Sequence, residues 1–152
     1  MRRASLLALL CLSLVGLGAC GRSDDSPKVT THNNGTQTFT VTDDKGTKVT
    51  VAGPGASADT PAYAPLFPGA TVESSVTTSD KGGIVAFKTT APPQAVIAFY
   101  KKSAATVGFK DNLDMTTGDT MSYSASNESH EHSLNVVAAQ NEDGTHVQLT
   151  WN

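Results

Sequence analysis

The hydrophobic positions along the chain change period several times, and each change marks an element. The chain opens with Met1-Arg2-Arg3, followed by an apolar run from Leu6 to Leu17 broken only by Ser13 and Gly16, and then Gly18-Ala19-Cys20. Basic, apolar and small residues in that order are the layout of an export signal with its cleavage site. At about 12 residues the run is too short to cross a hydrocarbon core as a helix, which takes about 20. From Gly21 to about Thr36 almost nothing apolar remains, so residues 20–36 are expected to form a flexible, disordered tether.

Strict alternation follows. Gln37 to Thr42 and Thr47 to Val51 flank Asp43-Asp44-Lys45-Gly46, which predicts a β-hairpin over residues 37–52. A three-residue loop with Gly46 left-handed pairs Val41 with Val49 and Phe39 with Val51 and puts these side chains on one face. Thr38, Thr40, Lys48 and Thr50 occupy the other face, which suits water. A lone hairpin is marginal, so this one should dock on something. Residues 53–65 are rich in Gly, Pro, Ala and Ser and read as a linker at a domain boundary.

Residues 66–152 read as a folded α+β domain. Strands are expected near Thr71 to Thr78 and Ile84 to Thr89, then a helix that takes Pro92 and Pro93 in its first turn. Its apolar stripe is Val96, Phe99, Tyr100, Ala104 and Val107, and Gly108 is its left-handed stop. Strands return at Phe109 to Met115, Thr120 to Ala125, His132 to Ala139 and Thr145 to Trp151. A four-residue loop in the last hairpin pairs Ala138 with Val147, Val136 with Leu149 and Leu134 with Trp151, all on one face. The expected fold is one helix across an antiparallel sheet of about five to six strands, preceded by a β-hairpin and the tether.

Composition then narrows the chemistry. Removal of residues 1–19 leaves nine Lys and Arg against fourteen Asp and Glu, a net charge of −5, with Arg22 the last arginine. Nucleic-acid binding needs a clustered basic footprint, and this chain has none. Cys20 is then the one remaining cysteine, so no intramolecular disulfide can form. His130 and His132 alternate onto one strand face and are weak candidates for a metal site, because His146 falls on the other face opposite Ala139. No nucleophile elbow occurs, and the paired acids Asp43-Asp44 and Glu142-Asp143 sit in turns for backbone reasons. Trp151, Tyr123 and Tyr100 are expected to be core. The residues call for no cofactor and no catalytic group.

Leu17-Gly18-Ala19-Cys20 resembles the bacterial lipobox, in which the cysteine is acylated and becomes the new N-terminus. That implies lipidation, with palmitate among the acyl chains, at Cys20. Gly21, in place of an Asp, implies sorting to the periplasmic face of the outer membrane. Leu66-Phe67-Pro68-Gly69-Ala70, Ile84 to Thr89, Val96-Ile97-Ala98-Phe99-Tyr100 and Val107-Gly108-Phe109 together resemble the core of small proteobacterial envelope lipoproteins of unassigned activity. This resemblance covers residues 65 to 112 and implies fold and compartment only. The expected function is that of a membrane-anchored, non-catalytic accessory or binding module for an envelope protein or glycan. The alternatives are a periplasmic carrier of a small apolar ligand and, less favoured, a hydrolase or metal-dependent enzyme using His130 and His132.

Overall fold

The computed structural model describes residues 28–31, 36–42, 46–79 and 82–152; Cys20 and the export signal lie outside them. The described residues form nine strands and one helix. In chain order these are β1 (Lys28–Thr31), β2 (Gln37–Thr42), β3 (Lys48–Ala52), β4 (Thr71–Thr78), β5 (Gly83–Thr89), α1 (Pro93–Thr106), β6 (Lys110–Thr117), β7 (Thr120–Ser126), β8 (Ser133–Asn141) and β9 (Gly144–Trp151). All nine strands join one antiparallel sheet in the order β1-β2-β3-β4-β5-β9-β8-β7-β6. Four antiparallel steps separate β5 from β6, so these two strands run parallel, and α1 is the crossover that parallel strands require. It lies over β6, β7 and β8.

The α+β architecture expected from the pattern is present, with nine strands in place of five to six. The difference comes from the N-terminal segments. Strand β3 pairs with β4, Val51 opposite Val76 and Ala52 opposite Ser75, so the hairpin extends the sheet in its own plane. Strand β1, within the stretch expected as a tether, pairs with β2. Both expected hairpin registers hold: Phe39 faces Val51 and Val41 faces Val49, with Gly46 at φ +83°, and Leu134, Val136 and Ala138 face Trp151, Leu149 and Val147.

The faces of the first hairpin are the reverse of the expectation. Thr38, Thr40 and Thr50 point to the helix side and are half-buried, while Phe39, Val41 and Val51 look outward and are exposed. In-plane addition is the cause. Ala52 is locked beside Ser75, an inward residue of β4, and alternation then sends Val51 out.

The core lies between the sheet and α1. Val85, Phe87, Tyr123, Leu134, Val136, Leu149 and Trp151 rise from the sheet to meet Val96, Ile97, Tyr100 and Ala104. Helix α1 starts with Pro92 and Pro93 as expected and stops at Val107, with Gly108 at φ +76°. Its stripe is shifted from the expected one: Ile97 is buried, Phe99 is half-buried and Val107 is exposed. Segment 53–70 has no regular structure, yet Ala64 is fully buried and Ala58, Tyr63, Leu66 and Phe67 pack on the same core. The stretch expected as a linker is therefore a strap across the inner face.

Two stability tests follow from this packing. Ile97→Ala should cost about 2–5 kcal/mol, and Val107→Ala less than about 0.5 kcal/mol; chemical denaturation giving the two equal losses would refute the observed stripe. A Cβ at Gly83 would collide with the Trp151 ring, so Gly83→Ala should cost about 1–3 kcal/mol by overpacking. Adding Trp151→Phe should then cost less than it does alone, and strict additivity in a double-mutant cycle would show that the two positions do not touch.

Candidate functional site

Between helix and sheet the strap carries the aromatic side chains that close the core. Phe67 meets Phe99 edge-on at 5.2 Å, and Phe99 meets Tyr100 edge-on at 5.1 Å. Tyr63 lies 5.2 Å from Phe109 and 5.5 Å from His132. Few polar bonds hold the strap. The Tyr63 hydroxyl donates to the Asn152 carbonyl at 2.7 Å, Ser103 Oγ donates to the Tyr63 carbonyl at 3.2 Å, and the Gly55 N–H donates to the Val72 carbonyl at 2.9 Å.

Tyr100 is buried under this layer, and its hydroxyl has no hydrogen-bond partner among the described residues. Burial pushes its ionisation far above the usual tyrosine range, with the Phe67 backbone a minor opposing influence. A buried unpaired hydroxyl costs about 1–3 kcal/mol and calls for an explanation.

Where β6 forms the sheet edge, the inner face turns polar. The Tyr123 hydroxyl donates to Asp111 Oδ1 at 2.6 Å, Lys101 of α1 pairs with Asp114, and the Lys101 ammonium stands 5.7 Å above the Tyr123 ring. Burial, then the Asp111 hydrogen bond and the charges of Asp111 and Asp114, raise the Tyr123 ionisation above its usual range. Asp111 and Asp114 share a face because the register shifts between Asp111 and Leu113. Simple alternation would have separated them, which is why this seam was not visible in the sequence.

The two candidate metal histidines do not converge. His130 sits in the β7–β8 turn at φ +56° with Nδ1 2.9 Å from Ser126 Oγ, which also accepts from Asn112 Nδ2 at 2.9 Å. His132 turns toward the C-terminus, its Nδ1 at 3.3 Å from the Asn152 carbonyl. No group of three or more His, Cys, Asp or Glu side chains among the described residues could hold a metal ion. Ser126 with His130 has nucleophile-to-base spacing, but Ser126 is buried and no carboxylate among its bonded neighbours orients the imidazole. The pair acts as a lock on the turn.

His146 lies opposite Ala139 as expected, on the outer face. Its Nε2 is 3.0 Å from Asp143 Oδ1, its Nδ1 is 3.5 Å from Glu73, and Lys88 reaches Asp143 at 2.5 Å.

A protein-family model described as START domain-like matches residues 71–150. The chain belongs to the START domain-like family. The match begins with β4 and ends within β9, so it takes in the helix and the six strands from β4 to β9 and leaves out β1 to β3 and the strap. No curated protein and no solved structure matches this START domain-like chain. Tyr100, Tyr123 and Trp151, expected as core, are core here. The partnerless Tyr100 hydroxyl has no sequence signal, because a core tyrosine reads the same whether or not its oxygen is paired.

The outer-face charges give a titration test. Lys88 first, and His146 second, hold the Asp143 carboxyl down to about 2 from its usual 3.8. Because the folded-state value is depressed, its stabilising contribution is complete above about pH 4 and is lost as pH falls toward 2. In Lys88→Gln the Asp143 midpoint, followed by NMR, should move up toward the ordinary range and lose its sensitivity to salt. A midpoint unchanged by the substitution would show that Lys88 does not hold Asp143.

Proposed function

We propose that this START domain-like chain is a non-catalytic binding module of the bacterial cell envelope, lipid-anchored through Cys20, that takes a small, mainly apolar ligand between strap and sheet. The observation that carries this reading is the buried, unpaired Tyr100 hydroxyl beneath a layer closed by an irregular strap. A ligand lodged beside Phe67 and Phe99 with one polar atom would give that hydroxyl its missing partner, while its apolar body would replace the aromatic contacts of the strap. Family membership supports the choice, since START-like domains are generally binding modules. The anchor rests on the sequence order of Arg2-Arg3, an apolar run and Leu17-Gly18-Ala19-Cys20. Acylated lipoproteins carry more than one chain, and two or more hold a protein on a membrane without a spanning helix. No helix among the described residues is long and apolar enough to cross one.

The test is native mass spectrometry of the mature protein extracted from membranes in mild detergent. A bound small molecule that leaves on denaturation is expected. Tyr100→Phe should fold at least as stably as the parent and lose several-fold in occupancy. A protein that carries nothing, and that takes up no apolar dye which envelope lipid extract then displaces, would sink the ligand reading. Intact mass and fractionation beside Cys20→Ala test the anchor separately.

A further inference from the structure

The outer face of the sheet carries a continuous apolar row. Cross-strand pairing sets Val29 beside Phe39, Phe39 beside Val51, Val51 beside Val76 and Val76 beside Ile84. These five side chains are between 37% and 58% exposed, and Val41 beside them is 36% exposed. The row crosses β1 to β5, four steps of about 4.8 Å, so it is about 19 Å long. Its neighbours on the same face among the described residues are uncharged: Thr31, Gln37, Val49, Ser74, Thr78 and Ala86. Among the described residues the nearest charges on that face, Glu73 and Lys88, are taken up in the cluster with His146 and Asp143.

Two observations say what covers the row. The first is area. At about 200 Å² for a whole large side chain, the row exposes on the order of 400 Å², half of the ~800 Å² that each partner of a stable protein pair buries. The second is its place relative to the N-terminus. The row starts at β1, the edge strand nearest Cys20, and only seven residues, 21 to 27, separate Cys20 from Lys28. Seven residues reach at most about 25 Å.

From these we infer that the row from Val29 to Ile84 is a membrane-contact surface, laid against the lipid that holds the anchor. The inference rests on the Cys20 anchor proposed above and concerns the face opposite the ligand site. An uncharged apolar strip, on a domain whose mature chain has net charge −5, fits a largely zwitterionic bilayer interface through burial rather than through charge attraction. The geometry orients the domain with β1 to β5 toward lipid and α1 away from it.

The experiment labels the mature, acylated chain at Phe39→Cys, with Lys102→Cys on the exposed side of α1 as the control position. Acylated Cys20 carries no free thiol, so each variant takes one environment-sensitive fluorophore. Each is reconstituted into vesicles of phosphatidylethanolamine with a minor share of phosphatidylglycerol, with and without bromine on the acyl chains. The label at 39 should be quenched several-fold by brominated lipid and the label at 102 should not. The same label should lose its quenching when Val51→Lys and Val76→Lys are added to the row. If the protein carries acyl mass and floats with the vesicles while the label at 39 remains unquenched, the contact surface is refuted and the anchor stands. If no acyl mass is present, anchor and contact fall together. Protection of the label at 39 from aqueous iodide in detergent, with elution as a dimer, would assign the row to a second copy and overturn the proposal.

Discussion

One helix cannot roof a nine-stranded sheet. Fourteen residues of α1 make a rod about 21 Å long, whereas nine strands spaced by about 4.8 Å are roughly 38 Å across. Helix α1 accordingly lies over β6, β7 and β8, and the rest of the inner face needs another cover. The strap supplies it with Ala58, Tyr63, Ala64, Leu66 and Phe67 on the shared core. Beyond its reach the inner face turns to small hydroxyl side chains, Thr38, Thr40 and Thr50, which tolerate partial hydration. Each of these solutions follows from the shortage of helix.

The same geometry explains the outward apolar row. A hairpin that packs on a core buries its apolar face, but a hairpin added in the plane of a sheet inherits the inside and outside of the strand it joins. The pairing of Ala52 with Ser75 fixes that inheritance, and Phe39, Val41 and Val51 are left facing out. The energetic consequence is direct. Their burial contributes little within this chain, where full burial of each would contribute roughly 1.5–3 kcal/mol.

What the sequence revealed depended on whether the deciding interaction was local. The β8–β9 register was readable because Glu142, Asp143 and Gly144 set the turn while Leu134, Val136 and Ala138 match Trp151, Leu149 and Val147 by parity alone. The first hairpin's register was equally readable, but its facing was not, since that depends on Ser75, more than twenty residues away. The strap looked like a linker because proline and glycine forbid regular structure in a buried segment as much as in a free one. Within the candidate site the aromatic side chains were visible as core. The unpaired Tyr100 oxygen depends on what the fold packs around it, and the Asp111–Tyr123–Asp114–Lys101 seam depends on a bulge. Neither leaves a period in the sequence.

Access to the inner layer is set by how the strap is fastened. At its N-terminal end Gly53 and Gly55 bond backbone to backbone with Gln37 and Val72, both within the sheet, so that end is as firm as β2 and β4. Further along, the fastening passes to side chains: the Tyr63 hydroxyl on the terminal Asn152 carbonyl and Ser103 Oγ on the Tyr63 carbonyl. Each neutral bond of this kind contributes about 0.5–1.5 kcal/mol net. Lifting Tyr63 and Phe67 while β3 and β4 stay paired therefore breaks far fewer hydrogen bonds than opening the sheet, and its main cost is the apolar contact of Ala64, Leu66 and Phe67 with the core. The polar cost of exposing the layer is small as well, because what it uncovers is one hydroxyl already lacking a partner.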